Sequence, residues 1–356
     1  MLVIHYASRI AKLRDSLRGI SGLLVTDIHN IRYLTGFTGS SGFLLLTKKK
    51  SIFATDFRYK EQAEKQTKGW DILIEKGERA ATISKLSKDL NIKRLGFEPS
   101  VSYAFFQQLS KKGLSMKPVR DSMERLRAIK DEEEIVFIKK AVSRAESAFL
   151  NIKDYIREGM RENRIERMLE ESLKKAGCNC LPFDIIVASG KNSSMPHARP
   201  SEKRLNQGDL VIIDWGGEAG GYFSDMTRTL LLQGPDLTKK KEIYNTVLKA
   251  HAKAVSAVSS GKDAKKVDSA ARNVIKKAGY GEFFGHGTGH GVGIQVHESP
   301  LITWNSDDVI RENMVFTIEP GIYVEGLGGL RIEDMVVVGK KKAELLTTLS
   351  RELEIL

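Results

Sequence analysis

The spacing of apolar residues divides the chain into two parts with different patterns. In the first, up to about residue 124, short apolar runs alternate with segments of helical periodicity. Strands are predicted at residues 22–26, 42–47, 51–55, 70–75 and 95–97, and helices at residues 56–67, 79–89 and 100–111, the last with Ser100 as its N-cap. This alternation predicts an α/β domain that spans residues 1–124.

A long amphipathic helix is predicted to open the second part, over residues 131–157. Its apolar positions recur at helical spacing, from Ile135 through Val142 to Ile152. Residues 131–134 are all acidic and occupy the first turn, where the helix dipole favours negative charge. We therefore expect a second domain over residues 125–356, joined to the first without a Gly/Ser-rich linker.

The second domain contains an internal repeat. Residues 159–177 align without a gap with residues 261–279, and with small shifts the match continues into two strand–turn–strand segments. Each half is then predicted to contain two helices, a strand, a turn and a strand, in that order, with one acid on each strand. Two such halves packed about a pseudo-twofold axis would bring four carboxylates together: Asp214 and Asp225 from the first half, Glu319 and Glu333 from the second.

Four converging carboxylates cannot all stay ionised without a cation between them. Two divalent ions with bridging carboxylates fit this number of acids better than one ion does. His290, in the glycine-rich segment 285–293, adds one imidazole, and oxygen-rich ligation with one nitrogen suits manganese best, with cobalt, iron or zinc as alternatives. The sequence predicts a two-metal site with these ligands: Asp214, Asp225, His290, Glu319 and Glu333.

Two other motifs are rejected at the glycine-rich segment. His286 and His290 have the spacing of the helical zinc-peptidase motif, but residue 287 is glycine and the alternating glycines exclude a helix. The dinucleotide-binding glycine spacing also fails, because positions 290 and 292 are His and Val. We expect the glycines to let the backbone pass close to the metals.

Composition and charge limit what the protein is expected to bind and where it is expected to act. The 356 residues carry a net charge of +12, yet the lysines are scattered and not interleaved with aromatic residues, which argues against nucleic-acid binding. No apolar run reaches the length of a membrane span, and residues 1–5 do not resemble a secretory signal. The two cysteines, Cys178 and Cys180, are too close in sequence for an ordinary disulfide. We expect a cytoplasmic protein that binds no membrane.

The order and spacing of the five predicted ligands resemble those of the pita-bread metallopeptidases, a group that includes methionine aminopeptidase, aminopeptidase P and prolidase. Two further features resemble the proline-specific branch. Residues 30–40, within the extra α/β domain, look like the signature of a creatinase-type N-terminal domain. Residues 296–300 and 331–333 look like the segments in which that branch keeps an active-site histidine and arginine.

The resemblance implies a metal-dependent Xaa-Pro aminopeptidase, a metallo-exopeptidase that cleaves the bond between an N-terminal residue and a following proline by attack of a metal-bridging hydroxide. It implies catalytic roles for Glu319 as proton acceptor, His297 as hydrogen-bond donor to the oxyanion, His197 near the scissile bond and Arg331 in orienting the carboxylates. His197, His286 and His297 would contact a peptide with proline in second position. The resemblance also suggests a homodimer.

Three other functions stay open. The nearest is an Xaa-Pro dipeptidase (prolidase), because no residue in the sequence decides how the C-terminal side of the substrate site is closed. A methionine aminopeptidase fits the extra domain and Arg331 less well. A non-enzymatic pita-bread binding module typically lacks some of the ligands, whereas all five positions are occupied in this sequence.

Overall fold

The structure is a computed structural model, and it describes residues 6–15 and 17–356. The expectation that residues 1–5 form no secretory signal lies outside the described residues. The chain divides into two compact units, Met1–Arg127 and Ala128–Leu356. The predicted boundary between residues 124 and 125 falls within helix Ser122–Ala128.

The first unit is built on a mixed sheet of six strands in the order β4-β3-β2-β1-β5-β6. The strands are β1 Gly22–Val25, β2 Phe43–Leu46, β3 Ser51–Thr55, β4 Asp71–Ile74, β5 Leu95–Phe97 and β6 Met116–Pro118. The helices are α1 Tyr6–Asp15, α2 Ile28–Thr35, α3 Lys60–Gln66, α4 Arg79–Asp89, α5 Tyr103–Lys111 and α6 Ser122–Ala128. The predicted α/β arrangement is confirmed. The central strands β1, β2, β3 and β5 are short and mostly apolar because they are buried, whereas the edge strands β4 and β6 are partly exposed.

One helix start in this unit differs from the prediction. The N-cap of α5 is Ser102, whose Oγ accepts a hydrogen bond from the backbone N–H of Phe105 at 3.2 Å. Ser100, two residues earlier, lies in the turn that precedes the helix. Both serines precede an apolar run, and only the backbone geometry decides which one caps it.

The second unit contains four α-helices among the described residues and two separate sets of strands. The helices are α7 Glu132–Lys153, α8 Glu162–Lys175, α9 Thr238–Ala257 and α10 Ala264–Lys277. The first strands are β7 Ile186–Ser189, β8 Leu210–Trp215, β9 Glu218–Ala219, β10 Tyr222–Phe223 and β11 Met226–Leu231. The remaining strands are β12 Gly289–Gly291, β13 Glu298–Ile302, β14 Val315–Ile318, β15 Gly321–Val324, β16 Gly328–Arg331, β17 Asp334–Val338 and β18 Ala343–Leu345.

The strands form two main sheets and two small ribbons. One sheet has the order β11-β8-β7 and the other the order β13-β12-β14-β17-β18. The ribbons are β9–β10 and β15–β16, each antiparallel. A bridge between Thr227 and Glu333 joins the start of β11 to the residue before β17. This bridge is where the two sheets meet, beside the predicted metal site.

The internal repeat is confirmed element by element. Helices α8 and α10 have the same length and occupy aligned residues, and Gly159 and Gly261 precede them with φ angles of 80° and 86°. A residue with a side chain would be strained at those angles, which explains the two glycines. In both halves a strand leads into a ribbon and a second strand follows, so the turn that the sequence predicted is itself a short ribbon.

Strand β8 is held in place by its last residue. The indole N–H of Trp215 donates to the carbonyl of Ala145 at 2.9 Å, and its ring stacks on Phe149 at a centroid distance of 4.6 Å. Both partners belong to α7, and Trp215 is fully buried. Helix α7 therefore fixes the end of β8, which carries Asp214.

None of the helices among the described residues combines the length and the apolar character that crossing a bilayer requires. Cys178 is buried and Cys180 is exposed.

Candidate metal centre

The four predicted acids lie at the bases of the two ribbons. In the first half, Asp214 lies on β8 and Asp225 immediately precedes β11. In the second half, Glu319 follows β14 and Glu333 precedes β17. Each pair therefore brackets one ribbon, and the ribbon's reversal of direction brings its two acids close together.

These acids share a single cavity of about 490 Å³ with every other predicted site residue. The cavity is lined by Asp214, Asp225, His290, Glu319 and Glu333, and also by His197, His286, His297 and Arg331. The structure thus brings all nine predicted residues together. A cavity of this size suits a small peptide.

His290 lies among the carboxylates. Its Nε2 is 3.5 Å from Oδ2 of Asp225 and 3.5 Å from Oε1 of Glu319. The other ring nitrogen, Nδ1, faces the carbonyl oxygen of Gly291 at 3.2 Å. A carbonyl can only accept, so Nδ1 carries the proton and Nε2 presents its lone pair to the acids.

Burial disfavours the charged form of several side chains in this cluster. Burial raises the pKa of Asp225, and the neighbouring carboxylates of Asp214 and Glu319 raise it further. Burial also raises the pKa of Glu333 well above its ordinary value, with Asp225 as the next largest cause. The same burial lowers the pKa of His290. Without a cation nearby, ionisation of Asp225 and Glu333 is therefore unfavourable.

The donor set fits divalent metal ions. Oδ1 of Asp214 and Oδ1 of Asp225 are buried and have no hydrogen-bond partner among the described residues. Ligand atoms of Asp225, His290 and Glu333 all lie within 4.8 Å of one another. Buried acceptors that face one another without donors are costly, and a cation removes that cost.

Arg331 is the buried cation that the protein itself supplies. Its Nη2 donates to Oδ2 of Asp214 at 2.7 Å, its Nη1 to the hydroxyl of Tyr323 at 2.7 Å and its Nε to Oγ1 of Thr227 at 3.0 Å. Thr227 in turn donates to Oε2 of Glu333 at 2.7 Å. One guanidinium thus orients an acid from each half of the repeat.

Two of these partners, Thr227 and Tyr323, were missed by sequence reasoning. Both lie in apolar strand patterns, where a threonine or tyrosine is ordinary. Tyr323 accepts from Arg331 and lies 3.0 Å from Nε2 of His286, to which it donates because Nδ1 of that ring faces the Gly287 carbonyl at 2.8 Å. Burial raises the pKa of Tyr323 to about 12, so it stays protonated for this role.

The histidines occupy different parts of the cavity. The His297 ring lies 4.3 Å from the His290 ring, centroid to centroid, and burial together with His290 lowers its pKa. His286 has its Nδ1 3.9 Å from Oε2 of Glu319, and burial lowers its pKa as well. His197 is exposed, in the loop after β7.

The glycines on either side of His290 are required by the packing of the neighbouring strands. A Cβ on Gly289 would overlap the carbonyl oxygen of Thr317, and a Cβ on Gly291 would overlap that of Ser299. These contacts are with the neighbouring strands β14 and β13. The glycines let three strands approach closely around His290, which places its ring among the acids.

The sequence matches two family descriptions. Residues 137–340 match metallopeptidase family M24, and residues 9–129 match the creatinase/prolidase N-terminal domain. The chain belongs to metallopeptidase family M24, with a creatinase-type domain before the catalytic one. It is therefore a metallopeptidase, a hydrolase of peptide bonds, with the expected pita-bread fold.

Three relatives illustrate the similarity. The chain is 39% identical to an Xaa-Pro dipeptidase of Pyrococcus horikoshii, over 94% of each protein. It is 40% identical to the solved Xaa-Pro dipeptidase of Bacillus anthracis, with a TM-score of 0.96 over 99% of this chain and 100% of that one. It is 37% identical to the solved X-Pro aminopeptidase of Thermotoga maritima, with a TM-score of 0.89 over 98% and 99% of the chains.

Proposed function

We propose that this metallopeptidase cleaves the peptide bond before a proline in second position, and that Xaa-Pro dipeptides are its preferred substrates. The observation that carries the proposal is the single cavity lined by all nine predicted residues. In it, Oδ1 of Asp214 and Oδ1 of Asp225 are buried without a hydrogen-bond partner in the part of the chain that the structure describes. The relatives named Xaa-Pro dipeptidase support the choice of dipeptides. An aminopeptidase acting on longer peptides, the function expected from the sequence, is the second candidate and is supported by the Thermotoga relative.

The residues proposed to hold two divalent ions are Asp214, Asp225, His290, Glu319 and Glu333. Manganese is the proposed metal, because four carboxylates with one imidazole match its preferences. Bound there, the ions supply an activated water at neutral pH and a Lewis acid for the carbonyl oxygen. The homodimer and the cytoplasmic location stay predictions.

The side chains divide the remaining tasks. Glu319 presents its carboxylate to the cavity and accepts the proton of the attacking water, which it then returns toward the leaving nitrogen. His297 donates to the oxygen that gains charge. Arg331, through its bonds to Asp214 and Thr227, keeps the carboxylates in their orientation. His197 and His286 contact the substrate on the cavity wall.

The proposal is tested by incubating manganese-loaded protein with Met-Pro, Met-Pro-Gly and Met-Ala-Gly and quantifying the released methionine. We expect Met-Pro to be cleaved with the highest kcat/KM and Met-Ala-Gly not to be cleaved. Faster cleavage of Met-Pro-Gly would replace the dipeptidase proposal with the aminopeptidase. Cleavage of Met-Ala-Gly alone would favour a methionine aminopeptidase instead.

Metal removal should destabilise the second unit, because the clustered carboxylates then repel one another. We expect EDTA to lower Tm and manganese to restore it, with about 2.7 kcal/mol of stabilisation when the free metal is one hundred times its Kd. Calorimetry of the dialysed and reloaded protein measures the shift. Asp225→Asn should weaken the response to manganese, whereas Asp154→Asn, at the exposed end of α7, should not. Equal responses in the two variants would contradict the proposed site.

A further inference from the structure

The second unit contains a buried ion pair that the proposed chemistry does not use. The ammonium of Lys130 donates to Oε1 of Glu298 at 2.8 Å, although the two residues are 168 positions apart in sequence. Their side chains are 0% and 8% exposed. Glu298 directly follows His297, the proposed donor to the oxyanion. The ion pair therefore ends one peptide bond away from a residue of the candidate active site.

Stability alone does not account for this pair. Removing two charges from water costs free energy that their attraction largely offsets without exceeding, and apolar side chains of similar volume are often at least as stabilising. A charge-assisted hydrogen bond differs from apolar packing because it fixes the distance and the direction between two atoms. The main effect of the pair is therefore on where Glu298 lies.

The lysine end of the pair has a fixed position. The backbone N–H of Lys130 donates to the carbonyl of Asn313 at 2.9 Å. Its neighbour Ile129 forms an antiparallel bridge with Met314, the residue before β14. The next residue, Asp131, is the N-cap of α7. The ammonium thus extends from a backbone that is tied to both α7 and β14.

The segment that carries His297 is fitted around the carboxylate of Glu298. A Cβ on Gly293 would overlap Oε1 of Glu298, and because Lys130 holds that oxygen in place, glycine is required at residue 293. The backbone N–H of Phe223 donates to the carbonyl of Gly293 at 2.8 Å. Residues 293–298 are therefore held at both ends, and His297 lies directly before the charged end.

His297 depends on this support because its ring is exposed on the cavity wall, so the backbone around it determines where the ring lies. A donor to the oxyanion must lie within hydrogen-bond distance of the position that this oxygen takes in the transition state. A misplacement of about 1 Å in an active site can cost about 10²-fold in rate. Small shifts of Glu298 should therefore be visible in catalysis.

We propose that the Lys130–Glu298 ion pair positions His297 to donate to the oxyanion. The inference rests on the proposed function, in which His297 has that role. Neither Lys130 nor Glu298 lines the cavity, so both act through His297 and not on the substrate. Loss of the pair should lower kcat and leave KM nearly unchanged, because the oxyanion forms only in the transition state.

The test is a double-mutant cycle on the manganese-loaded protein with Met-Pro as substrate. Lys130→Met should lower kcat by up to about 10²-fold. His297→Ala should lower kcat by about 10²–10³-fold. In the His297→Ala protein, Lys130→Met should lower kcat by less than about twofold further, because the side chain through which it acts is already gone. A role in stability alone would leave kcat per folded molecule unchanged in both backgrounds.

Two further variants separate positioning from folding. Lys153→Met is the matched control, because it removes an ammonium that lies 2.8 Å from Oε1 of Glu354, outside the cavity, and it should leave kcat unchanged. Lys130→Met/Glu298→Met replaces the buried pair with two apolar side chains and should stay folded, as circular dichroism and Tm can show. It should nevertheless have the low kcat of Lys130→Met, since the directed hydrogen bond is lost.

Each outcome decides the role of the pair. Wild-type kcat in the folded double variant would overturn the proposal, as would equal losses from Lys130→Met with and without His297. Failure of both Lys130 variants to fold would assign the pair to stability and overturn it as well.

The same experiment distinguishes this inference from the proposed function. If the wild-type protein cleaves Met-Ala-Gly but not Met-Pro, the proposed substrate is wrong, and the same cycle on Met-Ala-Gly tests the ion pair independently. If the loaded wild-type protein cleaves none of the peptides, the proposed function is wrong and the role of the pair is overturned with it.

Discussion

Glu319→Gln should abolish turnover while the protein stays folded. The substitution keeps the size of the side chain but removes the carboxylate that is proposed to accept and return the proton. General acid–base catalysis of this kind contributes about 10²–10⁴-fold, so kcat should fall by that factor. The fold should persist because the backbone N–H of Glu319 still donates to Thr288 and because a buried negative charge is removed from an acidic cluster.

The measurement is single-turnover hydrolysis of Met-Pro, with Tm and metal content recorded on the same preparation. Glu325→Gln is the matched control, because it makes the same chemical change away from the cavity. Glu325 is exposed at the tip of the β15–β16 ribbon. Substantial activity in the metal-loaded Glu319→Gln protein would assign the proton transfer to another group.

Arg331→Met should destabilise the second unit more than any surface change. Arg331 is the buried partner of Asp214, and its removal leaves that carboxylate unpaired beside three others. Breaking a buried ion pair from one side costs about 3–5 kcal/mol. We expect the free energy of unfolding to fall by an amount in this range in the metal-free protein and by less at saturating manganese. Bound cations then neutralise part of the charge that Arg331 neutralises in their absence. Urea unfolding with and without manganese measures both values.

Arg228→Met is the control that separates metal linkage from ordinary packing. Arg228 is equally buried, but the carboxylate to which its Nη2 donates is that of Asp334, which also pairs with His251 and does not line the cavity. Its Nη1 donates to the backbone carbonyl of Glu333 and not to that residue's carboxylate. Its loss should destabilise the protein to a similar extent whether manganese is present or not. Equal sensitivity of the two variants to manganese would show that Arg331 does not share the charge of the metal site.

Much of the site could be predicted because its residues are repeated in sequence. The aligned glycines, the apolar faces of α8 and α10 and the two acid pairs recur in the same order, so pairing the halves also paired the acids. The four acids line one cavity for that reason, whereas the family resemblance supplied His197, His286, His297 and Arg331. Local signals were weaker at helix ends, where Ser100 and Ser102 are chemically equivalent candidates and only the backbone selects Ser102.

The fold class, the repeat and the acidic character of the cavity could be predicted from the amino-acid sequence, because they depend on periodicity and on the order of residues along the chain. The hydrogen-bond network that positions the acids depends instead on contacts between segments that are far apart in sequence. Thr227 and Arg331 are 104 residues apart and Arg331 and Asp214 are 117 apart, yet their side chains bond within one cluster. No local pattern encodes which distant segments meet when the two halves of the repeat pack together.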